Sequence, residues 1–230
     1  MEENDFKPAL IIVDLQEDFC PPNGSLAVPH GRDIIPIVNT LLTLPFALKI
    51  GTKDWHPRDH ISFASNHPGK KPFEDMVTIT NPSNPAEKYE SRLWPVHCVQ
   101  GTPGAELVIE LDTERLDRVI EKGQMREVEM YSAFYDPLDR PRCCDSGLKD
   151  VLKKEGISDV YVVGLAGDYC VRATAMDAKR EGYRTWVVGE GTRAVDEGRW
   201  EGRVEEIRGE GVGVVGMDGE EVRRVREWRG

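Results

Sequence analysis

Residues Asp159 to Ala175 read DVYVVGLAGDYCVRATA. Val160 to Val163 is an apolar run of strand length, Gly164 to Asp168 is a tight turn, and a helix begins near Cys170. A cysteine in the first turn of a helix sits where unpaired backbone N–H groups point and where the positive end of the helix dipole lies. Both favour the thiolate, the nucleophilic form of the side chain. Cysteine is equally a small core residue, so this stretch alone leaves both readings open.

The same kind of unit recurs on either side. Upstream, Pro8 to Val13 is a buried strand that ends in Asp14, and Arg32 to Leu42 has helical spacing with Pro36 early enough to be tolerated. Phe46 to Gly51 is a second apolar run that leads directly into Thr52-Lys53-Asp54-Trp55-His56-Pro57. Gly104 to Leu111 reads as a helix, Arg118 to Glu121 as a short strand leading to Lys122-Gly123, and Leu148 to Glu155 as a helix stopped by Gly156. Downstream, the helix from Cys170 runs to about Glu181 and Tyr183 to Gly189 is a strand. The charged helical patterns Trp200 to Ile207 and Glu220 to Trp228 flank a last short strand, Val212 to Val215. Asn66 to Arg92 is polar and without a period, and reads as a long loop of the kind that carries function. Strands alternating with helices predict an α/β fold, a parallel sheet with helices on both faces, in one domain over residues 1–230.

Composition narrows the partners. The 230 residues carry 41 acidic and 30 basic side chains, a net charge of −11, which argues against a nucleic-acid partner. No apolar run is long enough to span a bilayer, so no membrane partner is expected. The N-terminal MEENDFKP lacks an apolar signal-peptide core, and the five cysteines form no CxxC pair. They read as reduced thiols of a cytoplasmic protein, with Cys143–Cys144 an incidental neighbouring pair.

Two constellations carry chemistry. Asp14, Lys122 and Cys170 each follow a strand-like run, and a parallel sheet brings such positions to its carboxyl edge. A carboxylate to accept the thiol proton and an ammonium to stabilise the thiolate make a nucleophile unit. Taken singly, Asp14 reads as a cap, Lys122 as a strand end and Cys170 as a core filler. The second constellation is Asp54-x-His56 with His97, a carboxylate–imidazole set suited to a divalent ion with open positions. His60 and Ser62 are close enough in sequence to assist such an ion through a water.

These motifs resemble the nicotinamidases of the isochorismatase-like cysteine hydrolase superfamily, the fungal enzymes in particular. The matching pieces include IIVDLQEDFCPPNGSLAVP, TKDWHPRDHISFASNHPGKKPFE, LWPVHCVQGTPGAEL, EKGQ, YSAFYD, VYVVGLAGDYCVRATAMDA and GYRTWVV, in that order, over about residues 9 to 195. The resemblance implies a three-layer, doubly wound fold with a mostly parallel six-stranded sheet. It implies a catalytic triad of Asp14, Lys122 and Cys170, and one divalent metal on Asp54, His56 and His97, with zinc usual and iron or manganese as alternatives. It implies a cis peptide between Leu165 and Ala166, which turns the N–H of Ala166, with that of Cys170, toward an oxyanion. Phe19, Trp94, Tyr131 and Tyr169 match the aromatic wall around a pyridine ring. The implied reaction is hydrolysis of nicotinamide to nicotinate and ammonia in NAD salvage, through a cysteine thioester, with the ring nitrogen on the metal. Pyrazinamide is then an alternate substrate, and a homo-oligomer is compatible with the family.

The nearest rival is a sibling amidohydrolase acting on a carbamoyl, ureido or other small amide; such relatives share the Asp–Lys–Cys set and commonly lack the metal ligands. A non-catalytic metal-binding or thiol redox protein is a more distant reading, disfavoured by the missing CxxC partner of Cys170. A nucleotide-binding domain is disfavoured because no Gly-rich phosphate loop follows the first strand. Asp168, beside the nucleophile position, is expected to perturb the thiol.

Overall fold

The computed structural model describes residues 6–230. Six strands form a wholly parallel sheet: β1 (Pro8–Val13), β2 (Leu48–Asp54), β5 (Arg118–Lys122), β6 (Asp159–Leu165), β7 (Arg184–Arg193) and β8 (Gly213–Val215), in the order β5-β2-β1-β6-β7-β8. The order runs outward in both directions from the β1–β6 pair, so the crevice at their carboxyl ends is the switch point where open α/β sheets bind ligands.

Every residue of β1 is buried, because both faces of the sheet are covered. Leu10 and Ile12 pack with Val38 and Leu41 of α1 (Ile35–Leu42) and with Val222 and Val225 of α5 (Glu220–Glu227). Ala9, Ile11 and Val13 pack with Leu148 and Leu152 of α2 (Leu148–Lys154), Ala175 and Ala178 of α3 (Arg172–Arg180) and Ile207 of α4 (Glu197–Gly209). The period-two alternation of one strand therefore feeds two separate cores, which is what makes the three layers.

Two sequence expectations fail. The stretch expected as one long loop contains an antiparallel hairpin, β3 (Met76–Asn81) and β4 (Asn84–Arg92), with Ile79 opposite Tyr89. Its buried side chains are few and mostly polar, Asn81 and Ser91 beside Ile79, so it shows no apolar period. The helix expected over Gly104 to Leu111 is absent. Pro103–Ala105 forms a single short turn; the chain then extends, Leu107 bridges Gln16, the N–H of Val108 donates to Leu15 O at 3.0 Å, and a second turn closes with the Leu111 N–H donating to Val108 O at 3.0 Å. Apolar Leu107 and Val108 are accounted for by packing beside the exit of β1 rather than by a helical face.

Candidate active site

The sheet register assembles the site. β1 pairs with β6 so that Val13 lies opposite Gly164, and β2 pairs with β5 so that Asp54 lies opposite Lys122. Asp14 follows β1, Asp54 and Lys122 end β2 and β5, and Cys170 lies in the wide turn Gly167–Val171 that follows β6 and leads into α3. Four chain segments thus deliver their side chains to one edge.

Lys122 is the hub. Its Nζ lies 3.0 Å from Asp14 Oδ2 and 3.7 Å from Cys170 Sγ, and donates to Asp54 Oδ1 at 2.5 Å and to Met130 O at 3.1 Å. Burial disfavours the ammonium, but Asp14, Asp54 and Cys170 outweigh it and hold Lys122 protonated well above the usual lysine range. Burial raises Asp14 to about 6 against the pull of Lys122. Burial also drives the Cys170 thiol well above its ordinary range, again against Lys122. The thiolate expected from the helix start is therefore corrected. Desolvation outweighs the ammonium, so the resting set is a carboxylate, an ammonium and a protonated thiol. The thiol has a carboxylate, Asp14, within hydrogen-bonding reach.

Thr52 was not picked out from sequence. Its hydroxyl donates to Asp14 Oδ1 at 2.6 Å, while the N–H of Asp14 donates to Thr52 Oγ1 at 3.1 Å. It stands two residues before Asp54 on β2, so the two share a face, a periodicity the sequence contains. Gln16 holds the strand end from the other side: its Oε1 accepts the Asp54 N–H at 2.8 Å, and its Nε2 donates to Asp54 O at 2.8 Å.

The ligand atoms of Asp54, His56 and His97 all lie within 4.8 Å of one another and are buried. His56 Nδ1 donates to Gly123 O at 2.7 Å, and His97 Nδ1 donates to Pro95 O at 2.8 Å. A carbonyl only accepts, so each ring carries its proton on Nδ1 and presents an Nε2 lone pair. His56 Nε2 is buried without a hydrogen-bond partner. Burial lowers His97 to about 4, and Asp54, outweighing burial, draws His56 upward. Burial pushes Asp54 up, but Lys122 and His56 outweigh it and hold the carboxyl well below the usual range. Two neutral-tautomer imidazoles, one orphaned nitrogen and one carboxylate fit a divalent ion. Gly123 has φ +69°, and a Cβ there would lie 2.5 Å from His56 Cε1, so a larger residue would displace the ring.

His60 stands behind this set. Its Nδ1 meets Ser62 Oγ at 2.8 Å, its Nε2 faces Val128 O at 3.2 Å, and its ring stacks on His56 at 4.0 Å. It buttresses the ring of His56.

Phe19, Trp94, Tyr131 and Tyr169 line one cavity together with Asp54, His97, Ala166 and Cys170. Trp94 meets Tyr169 edge-on at 4.8 Å, and Trp94 Nε1 donates to Tyr131 OH at 2.9 Å. The peptide between Leu165 and Ala166 is cis. Leu26, Glu129 and Val195 complete the lining and were not anticipated. Leu26 and Val195 carry no chemical signal in a sequence, and Glu129 stands in a charged stretch that hides it.

No described helix is long and apolar enough to cross a membrane. The isochorismatase domain matches residues 8–218. The nicotinamidase of Acinetobacter baylyi is 45% identical over 188 residues, 82% of this chain and 82% of that protein. The crystal structure of the yeast nicotinamidase bound to the inhibitor nicotinaldehyde superposes with a TM-score of 0.85 at 34% identity, covering 91% of this chain and 99% of the other. The pyrazinamidase of Pyrococcus horikoshii in complex with zinc has a TM-score of 0.69 at 34% identity, with 91% and 99% covered. The isochorismatase-domain match spans every strand of the sheet, and the chain belongs to the isochorismatase family.

Proposed function

We propose that this chain, acting as a single domain, hydrolyses nicotinamide to nicotinate and ammonia through a thioester on Cys170. The observation that carries the reading is the cavity itself. Cys170, Asp54 and His97 reach its lining beside the aromatic rings, with Asp14 and Lys122 packed behind the thiol and His56, whose Nε2 is orphaned, behind Asp54 and His97. Relatives named nicotinamidase support the choice of amide.

Asp54, His56 and His97 would hold the metal, zinc by the example of the Pyrococcus relative, with iron and manganese as alternatives. When bound, the ion supplies a Lewis acid for a ring nitrogen. The chain's own groups do the rest. Phe19, Trp94, Tyr131 and Tyr169 sandwich a flat ring and exclude water. Asp14 Oδ2 takes the proton of Cys170, and Lys122 stabilises the thiolate. Sulfur attacks the carboxamide carbon, and the N–H groups of Ala166 and Cys170 receive the oxyanion. Asp14 returns its proton to the departing nitrogen, which leaves as ammonia. It then takes a proton from the water that cleaves the thioester, releasing nicotinate and restoring the thiol.

Ammonia release from nicotinamide, pyrazinamide, benzamide and a carbamoyl amide tests the reading, with metal content measured on the same sample. Turnover of the first two, weak turnover of benzamide, which lacks the ring nitrogen, and none by Cys170→Ala are expected. Preference for the carbamoyl amide would instead favour the sibling amidohydrolase, and a fully active Cys170→Ala would refute the nucleophile.

A further inference from the structure

We propose that Asp168 is a positioning residue. It fastens the turn carrying Ala166 and Cys170 to the segment Val195–Asp196, so that the pocket wall and the oxyanion donors are held as one body. The inference rests on the acyl-transfer reading above and adds a residue that touches neither substrate nor nucleophile.

Asp168 is 9% exposed. Both of its carboxylate oxygens are taken by consecutive backbone amides: Val195 N–H donates to Oδ1 at 2.9 Å and Asp196 N–H to Oδ2 at 3.1 Å. The expectation that Asp168 perturbs the thiol gives way to this geometry. The strongest influences on Cys170 are burial, Lys122, Asp14 and Asp54, while the Asp168 oxygens are committed to the other segment. Asp196 immediately precedes α4, so the anion also meets the amide end of that helix, where negative charge is favoured.

The same segment braces the turn at two further points. Thr192 Oγ1 donates to Gly164 O at 2.8 Å. Trp200 of α4 closes on Gly167 so tightly that a Cβ there would lie 2.8 Å from its ring. Val195, hung between these braces, lines the cavity beside Ala166 and Cys170. One carboxylate facing two N–H donors is a demand only an acid meets. An amide of the same size would accept one bond and turn its NH2 against the second donor.

Asp168→Asn is therefore the sharp test, since it preserves volume. The aldehyde inhibitor reads the oxyanion site: the thiol adds to its carbon, an S–C bond forms, and the proton passes to the former carbonyl oxygen. Nicotinate reads ring binding alone. We expect kcat and nicotinaldehyde affinity to fall together by about 10- to 100-fold, with nicotinate affinity within about threefold of wild type. Wild-type kcat and aldehyde affinity in a folded Asp168→Asn protein would overturn the proposal, as would equal losses for aldehyde and nicotinate, which signal general loosening. If Asp168→Asn folds poorly, Thr192→Val, which drops the brace at Gly164, takes the same measurements with the same expected split. Alkylation of Cys170 by iodoacetamide needs no substrate. If wild type releases no ammonia from nicotinamide, the hydrolase reading fails, and a roughly tenfold slower alkylation in Asp168→Asn, or none, still decides the positioning role.

Discussion

Thr52 and Asp14 exchange two hydrogen bonds, the hydroxyl giving its proton to Oδ1 at 2.6 Å and its oxygen receiving the Asp14 N–H at 3.1 Å. The direction of the first bond is set by the carboxylate, which when ionised can only accept, while the amide uses one lone pair of the same hydroxyl oxygen. Oδ1 is thereby spent, and Oδ2, which has no hydrogen-bond donor and faces Lys122 Nζ at 3.0 Å, is the oxygen left for the base of the proposed mechanism. Thr52→Val should lower kcat by about 10- to 100-fold, the kinetic equivalent of a hydrogen bond to a charged group. Thr52→Ser keeps the donor and should stay close to wild type in a steady-state ammonia assay. A Thr52→Val enzyme as fast as Thr52→Ser would show that Oδ1 needs no partner.

On the proposed mechanism the acid side of the pH profile belongs to Asp14. Burial lifts it from 3.8 to about 6, and the base works only when ionised. A plot of kcat/KM against pH should rise through a limb centred near 6. The sign for stability is opposite. Folded Asp14 binds its proton more tightly than unfolded Asp14, so its ionisation erodes stability as pH rises from about 4 to about 6 and changes little above that. Urea titrations across that window, with Asp14→Asn lacking this component, check the sign.

Tyr131 OH accepts the Trp94 indole N–H at 2.9 Å and meets Ser91 Oγ at 3.0 Å. Tyr131→Phe leaves a buried N–H without its acceptor. The expected loss is about 1–3 kcal/mol in urea unfolding, with a higher KM because the indole no longer has a fixed place in the cavity. An unchanged midpoint would mean that water replaces the phenol.

Removing the metal should act on stability as well as on activity. His97→Ala, or dialysis against a strong chelator, should reduce bound metal from about one equivalent to near none and lower the melting temperature. Readdition of zinc should restore both in wild type and neither in His97→Ala. Metal analysis beside a thermal melt checks it, and a chelated protein with an unshifted melt would count against a metal held by these three residues.

Much of this site was legible because of where apolar runs end. PALIIV stops at Asp14 and the run before Gly164 stops at the nucleophile turn, so parallel pairing alone brings Asp14 and Cys170 together. Asp54 and His56 were legible as a same-face pair. The hairpin β3–β4 was not, since its inner face is carried by Asn81 and Ser91 as much as by Ile79. The extended path of Leu107 and Val108 was hidden because contact with Leu15 and Gln16, distant in sequence, overrides a local helical spacing. Asp168 was visible as a residue but not as a role, because its partners are backbone amides nearly thirty positions away, and amides carry no signature in a sequence.

The pairing of β2 with its neighbours has a consequence for how this chain tolerates change in length. Thr52 and Asp54 occupy one face of a strand whose register is fixed at Ile12↔Gly51 and Asp54↔Lys122. Insertion or deletion of a single residue in β2 ahead of Thr52, with the start of the strand held in register, would rotate both to the opposite face. The support of the base and the carboxylate of the metal set would be lost in one event, even where the sheet still closed. The hairpin β3–β4 is joined to the sheet by neither register; its tip is held instead by side-chain bonds, Asn81 Nδ2 donating to Pro141 O at 2.8 Å and Asn84 Nδ2 to Arg140 O at 2.9 Å. A length change between Pro82 and Ser83 puts those two bonds at risk but leaves the sheet register intact, so a library of single-codon insertions should retain more activity there than within β2.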